Sequence, residues 1–99
     1  MDITEKIREA LKEVRDPEMG VNIIDLGLVY DIKVENLTAT ITMTLTSPGC
    51  PVGPMIVDDI HYALEKFSEL EKISIDIVWS PPWDASMMSE EAKDLLGIF

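Results

Sequence analysis

Apolar positions recur along this chain with two different periods, and each switch between them marks a new element. Ile3, Ile7, Ala10, Leu11 and Val14 lie three or four residues apart, the spacing of one helix face. Asp2, three residues before Glu5, has the form of a capping box at the start of that helix. Asp16-Pro17 stops it, because proline disfavours helical geometry at the residue before it. The stretch from Glu18 to Gly27 has no period, and Gly20 and Gly27 permit backbone turns there.

From Leu28 the period falls to two. Leu28, Tyr30, Ile32 and Val34 share one face, with Asp31, Lys33 and Glu35 opposite. Asn36 marks a turn, and Ala39, Ile41, Met43 and Leu45 continue the alternation, with threonines on the outward face. Two such runs joined by a short turn predict an antiparallel hairpin with one buried face. Ile56, Ile60, Ala63, Leu64 and Phe67 return to helical spacing, with Pro54 tolerable in the first turn and Asp58 and Asp59 near the helix's positive end. Ile73, Ile75, Ile77 and Trp79 predict a third strand, and Ser89 and Gly97 bracket a short last helix.

The order α-β-β-α-β plus a terminal helix predicts an α+β fold of two layers, both main helices covering one side of a small mixed sheet. The threonine-rich face would meet solvent or a partner. Ninety-nine residues are expected to form one domain over 1–99, with a core that needs neither disulfide nor structural metal.

Charge narrows the partners. Eight basic and 19 acidic residues give a formal net charge of −11. Such a surface repels phosphate backbones and anionic lipid, which argues against nucleic acid and membranes as partners. It favours solubility and a basic protein partner. Cys50 is the only cysteine, so neither an intrachain disulfide nor a four-cysteine zinc site can form within one chain. The first residues lack the basic and apolar regions of a signal peptide, and no apolar run approaches the ~20 residues of a membrane span. A cytoplasmic protein is expected.

No phosphate-binding glycine loop, dinucleotide fingerprint, zinc-binding histidine pair or serine-centred elbow is present. What stands out is the loop Thr46-Ser47-Pro48-Gly49-Cys50-Pro51, just ahead of the second helix. A helix N-terminus stabilises thiolate, the form that reacts and binds metal. Free cysteine is often only a small buried hydrophobe, and spacing alone favours that reading of Cys50. An iron–sulfur cluster needs about four ligands, so one thiol must share a cluster across a homodimer, borrow other ligands or meet the cluster in transit.

His61, about fifteen ångströms from Cys50 if the segment between is helical, is better read as a surface residue than as the base of a nucleophilic pair. Asp16, Glu18 and Asp25 could bind a hard metal or orient a base, or the two aspartates could satisfy turn amides. Pro81-Pro82-Trp83 could form a docking edge or lid, or close the core. Met87 and Met88 fit packing better than metal ligation.

Taken together the loops resemble the SufT/PaaD-like metal–sulfur cluster assembly family. The resemblance rests on Asp16-Pro17-Glu18 with Gly20, on Asn22-Ile23-Ile24-Asp25-Leu26-Gly27-Leu28-Val29-Tyr30, on the Cys50 loop, and on Pro81-Pro82-Trp83 with Met88-Ser89. It implies the cluster-assembly α-β-β-α-β fold and a non-enzymatic accessory role in delivering or inserting iron–sulfur clusters. Scaffold or recipient proteins are the implied partners, and iron or a cluster would be bound only transiently. Cys50 inherits the reactive, metal-contacting position. Asp16, Glu18, Asp25, Thr46, Ser47, Pro48, Gly49, Pro51 and Trp83 would shape the site around it. The chain lacks the Walker motif of ATPase-fused relatives and the C-terminal cysteines of PaaD-type ones, as a stand-alone minimal form would. The rival reading is a metal-free adaptor that recruits clients through its acidic surface and Trp83.

Overall fold

The computed structural model describes residues 2–17, 19–46 and 53–97. Its elements are α1 (Ile3–Leu11), β1 (Val29–Glu35), β2 (Thr38–Met43), α2 (Gly53–Leu64), β3 (Lys72–Ile77), a 3-10 turn (Ala85–Met87) and α3 (Glu90–Leu96). The α+β reading holds. The sheet order is β1-β2-β3, with β1 antiparallel and β3 parallel to β2, so α2 is the crossover between two parallel strands.

Local chemistry sets the boundaries. The Asp2 carboxylate accepts the Glu5 N–H at 3.0 Å and starts α1. That helix ends at Leu11, short of Val14, which is buried all the same because the chain turns back beneath the core. Ser89 accepts the Ala92 N–H and starts α3, and Gly97 ends it with a left-handed φ of 72°. The turn at Ala85–Met87 has no counterpart in the apolar pattern. It is initiated by Asp84, whose side chain accepts from the Ser86 N–H.

The β1–β2 hairpin closes through Asn36 and Leu37, both at positive φ, with Glu35 opposite Thr38. This is the two-residue turn whose twist matches paired strands and whose second position favours glycine. Leu37 adopts φ 65° while 48% exposed, so it carries left-handed strain with little packing to offset it. Leu37→Gly is therefore expected to raise stability by about 1 kcal/mol. The check is the urea midpoint at unchanged m-value; a lower midpoint would refute it.

The core lies between the sheet and the helices. Ile7, Leu11, Ile56, Ile60 and Leu64 meet Ala39, Ile41 and Met43 of the central strand, all fully or nearly fully buried. Three expectations are corrected here. Thr44, expected on the open face, is fully buried, because the strand has ended and the Thr44 N–H bonds to the Leu28 carbonyl. Ile77 and Trp79, expected on the buried face, are 36% and 46% exposed, because they run past the cover of the helices at a sheet edge. Asp58 and Asp59 lie beyond the first turn of α2, which begins at Gly53 and holds no acid.

No helix among the described residues is long and apolar enough to cross a membrane.

Candidate functional site

All three signature segments leave from the same end of the sheet. Because β1 runs against β2, its start lies beside the end of β2; because β3 runs with β2, its end lies there too. The residues 20–28 that precede β1 and the tail after β3 therefore meet there, and the described start of the connection from β2 to α2, residues 44–46, leaves from the same end. Thr44 donates to Leu28 at 2.8 Å and Val78 donates to Met43 at 2.8 Å, tying the three strand ends together.

A β-bulge adapts β1 to this task. Val29 pairs with Met43 but Asp31 with Thr42, so Tyr30 is an extra residue on β1. The bulge puts Val29 against the core in place of Tyr30, which corrects the alternation read from the sequence. Tyr30 is thereby released to the tail, where its hydroxyl donates to the Pro81 carbonyl at 2.7 Å and lies 3.7 Å from Met87 Sδ.

Two more bonds complete the clasp. Trp83 Nε1 donates to the Leu26 carbonyl at 2.7 Å, and the Ser89 N–H donates to the Asp25 carbonyl at 2.7 Å. Trp83 is half-buried against the core, so it closes the fold, and the exposed tryptophan at this end is Trp79. Met88 is buried in the core, in keeping with the packing reading.

The loop before β1 is fixed from within. Asn22 accepts the Asp25 N–H through Oδ1 at 2.9 Å, and its Nδ2 donates to Asp25 Oδ2 at 2.8 Å. The turn amide is thus satisfied by the Asn22 side chain, and the Asp25 carboxylate accepts from the Asn22 side-chain amide in return. Asp16 is 1% exposed, its carbonyl accepting from Met19 and Gly20 and its N–H donating to Val21. Among the described residues no three acidic, histidine or cysteine side chains gather as a metal site. His61 is exposed on α2.

Thr46 is half-buried at the end of the described part of the connection. Glu18, Ser47, Pro48, Gly49, Cys50 and Pro51 lie outside the described residues. In the chain, Cys50 stands three residues before Gly53, the first residue of α2. Gly53 itself packs close to Leu45: a Cβ there would lie 3.0 Å from Leu45 Cδ1. The sequence pattern did not single out Asn22 or Tyr30. The Asn22–Asp25 spacing was a readable signal for the first, whereas the bulge that frees Tyr30 leaves no trace in the alternation.

A small mixed sheet crossed by α2, with the segments before β1 and after β3 clasped at one end, is the α+β architecture of this domain. A family model described as iron-sulfur cluster assembly protein matches residues 4–77, and the chain belongs to that family. It is 50% identical over 97 residues to the Fe-S protein maturation auxiliary factor YitW of Bacillus subtilis, covering 97% of this chain and 95% of the relative. It is 48% identical over 86 residues to the Fe-S protein maturation auxiliary factor SufT of Staphylococcus aureus, covering 86% of this chain and 98% of that one. The crystal structure of a domain of unknown function from Bacillus anthracis matches with a TM-score of 0.91 at 46% identity, covering 97% of this chain and 92% of the other.

Proposed function

We propose that this chain is an accessory factor in iron–sulfur cluster assembly, helping to deliver clusters to recipient proteins or insert them, with the Cys50 thiol transiently meeting iron or cluster as cargo. The observation that carries the reading is the clasp between two signature segments through Tyr30, Trp83 and Asp25, at the end of the sheet from which Thr46 leads toward the Cys50 loop. Family membership and the names of the relatives support it.

The chemistry follows from ligand type and number. Thiolate is a soft ligand suited to iron and sulfide. The partial positive charge at the start of α2 favours an anionic group nearby, and no acidic side chain in its first turn offsets that charge. One thiol supplies one of the roughly four ligands a cluster needs, leaving positions open for a donor or recipient protein. That suits handover and not storage. Asp16, Glu18, Asp25, Thr46, Ser47, Pro48, Gly49, Pro51 and Trp83 act as the frame of the site, none as an acid or base. The protein works in the cytoplasm beside scaffold and recipient proteins, and it is not an enzyme.

The metal-free adaptor remains the second reading because α2 presents Met55, 54% exposed, and Tyr62, 76% exposed, beside the exposed Asp58 and Asp59. Such a face suits a basic, partly apolar partner. Trp83 is tied to Leu26 and is a poor docking anchor. The test is the activity of an iron–sulfur dehydratase in cells lacking this gene, complemented with wild type or Cys50→Ser at matched protein level. Rescue by wild type alone is the expected result. Rescue by both would favour the adaptor, and an absence of any defect in the deleted cells would overturn both readings.

A further inference from the structure

The two edges of the sheet are built differently. The β1 edge is interrupted by the bulge at Tyr30, a common way to blunt an edge against pairing. The β3 edge, Lys72–Ile77, is regular over six residues and contains no proline. Among the described elements it packs only on β2 and α2.

Its free hydrogen-bonding groups can be located. In a parallel pair the N–H and C=O of one residue point to the same side, alternating along the strand. Lys72 and Val78 donate toward β2, to Leu37 and Met43. Ser74 and Asp76 therefore face β2 as well, and the peptide groups of Ile73, Ile75 and Ile77 face outward. No hydrogen bond from those three to another element exists among the described residues. Their side chains form an apolar row on the helix side, half-buried at Ile73 and Ile75 and 36% exposed at Ile77, whereas their neighbours on β2 are fully buried.

On the other face, β3 presents Lys72, Ser74 and Asp76 in register with Thr38, Thr40 and Thr42. Among the described residues Lys72 and Asp76 make no ion pair, although four of the eight cations, Lys12, Lys33, Lys66 and Lys93, are paired. The order Lys72-Ile73-Ser74-Ile75-Asp76 is complementary to itself when reversed about Ser74.

We infer that this edge pairs with the β3 edge of a second copy of the chain, antiparallel about a two-fold axis at Ser74, giving a continuous six-stranded sheet. In that register Ile73 and Ile75 of each copy form hydrogen-bonded pairs with Ile75 and Ile73 of the other. Ser74 faces its own counterpart. Each Lys72 lies opposite an Asp76 at non-hydrogen-bonded positions, where side chains approach most closely. A client peptide could use the same backbone groups, but the charge complementarity selects the chain itself. Repulsion between two chains of net charge −11 is screened beyond about 8 Å at 0.15 M salt, so the local pairs decide. The antiparallel arrangement sends the two site-bearing ends in opposite directions, roughly 25 Å apart at about 3.3 Å per residue. This interface therefore gives a particle with two separate sites, not one cluster shared between two thiols.

Sedimentation equilibrium under reducing conditions at 0.15 M salt tests the pairing. Wild type is expected to show a concentration-dependent dimer. Lys72→Asp and Asp76→Lys each set two like-charge pairs across the axis and should weaken it at least about tenfold, while the double swap returns it to within a few-fold of wild type. A second variant tests the register. Ser74→Cys in a Cys50→Ser background, treated with oxidised glutathione, should form a covalent dimer. Opposed non-hydrogen-bonded positions lie about 4.5 Å apart between Cα atoms, within disulfide reach. A chain that stays monomeric to about 0.5 mM, where even a weak dimer of millimolar Kd would register, overturns the inference. So does a dimer indifferent to both single reversals, or failure of the Ser74→Cys variant to cross-link when dimer is present.

Discussion

Gly27→Ala is expected to lower the stability of the folded chain by about 3 kcal/mol or more. Two costs combine. Gly27 sits at φ 78°, a left-handed conformation that costs a residue with a side chain about 1–2 kcal/mol. A Cβ there would also overlap the carbonyl of Met87, which is backbone and cannot rotate away. Either the loop before β1 or the 3-10 turn must shift, and a shift strains the bonds from Trp83 to Leu26 and from Ser89 to Asp25. Gly20, at φ 71° with open space around it, is the control. Gly20→Ala should incur only the backbone cost. Paired urea titrations decide the matter, and equal losses for the two variants would show that the approach of Met87 carries no weight.

Trp83→Ala is expected to cost about 3 kcal/mol, the scale for removing a large aromatic from a packed site. The indole is half-buried against the core and its N–H is the donor at the Leu26 carbonyl, 2.7 Å away. Trp83→Phe keeps most of the packing and removes the bond, so it should lose about 1 kcal/mol. If Trp83→Ala stays within about 0.5 kcal/mol of wild type, the tail does not depend on this anchor. In cells, the proposed site-framing role predicts that Trp83→Phe, at matched protein level, still supports dehydratase maturation.

Much of the architecture was legible because period and burial agree along the helices and the central strand. Ile7, Leu11, Ile56 and Ile60 fell where helical spacing put them, and Ala39, Ile41 and Met43 lie fully buried on β2. The pattern misled where tertiary geometry overrode alternation. A bulge exchanged Val29 for Tyr30, which no spacing of apolar residues announces. Trp79 continues the β3 alternation in sequence but has run beyond the helices that could cover it. Strand order, too, depends on how α2 crosses from β2 to β3, which periodicity cannot express.

The candidate site was legible in a different manner. Its motifs stand out as odd loops far apart in sequence, and only the folded chain shows why they belong together: each leaves or enters the same end of the sheet. Asp25 suits either a metal or a turn on sequence grounds, and in the fold its carboxylate accepts from the Asn22 side chain while Asn22 accepts the Asp25 N–H. Trp83 suits either an anchor for partners or a closure of the core, and its bond to Leu26 fits closure.

The clasp between residues 25–30 and 81–89 also bears on how the protein comes into being. The β1–β2 hairpin joins neighbours in sequence, whereas Tyr30 meets Pro81 across 51 residues and Leu26 meets Trp83 across 57. Contacts so distant along the chain close large loops and tend to come late in folding. On the ribosome the hairpin emerges well before the tail, so the site-bearing end gains its clasp only after residues 81–89 have cleared the exit. A cell making this protein thus completes the clasped end after the hairpin, and a nascent chain arrested before residue 81 lacks the groups that bind Tyr30 and Leu26.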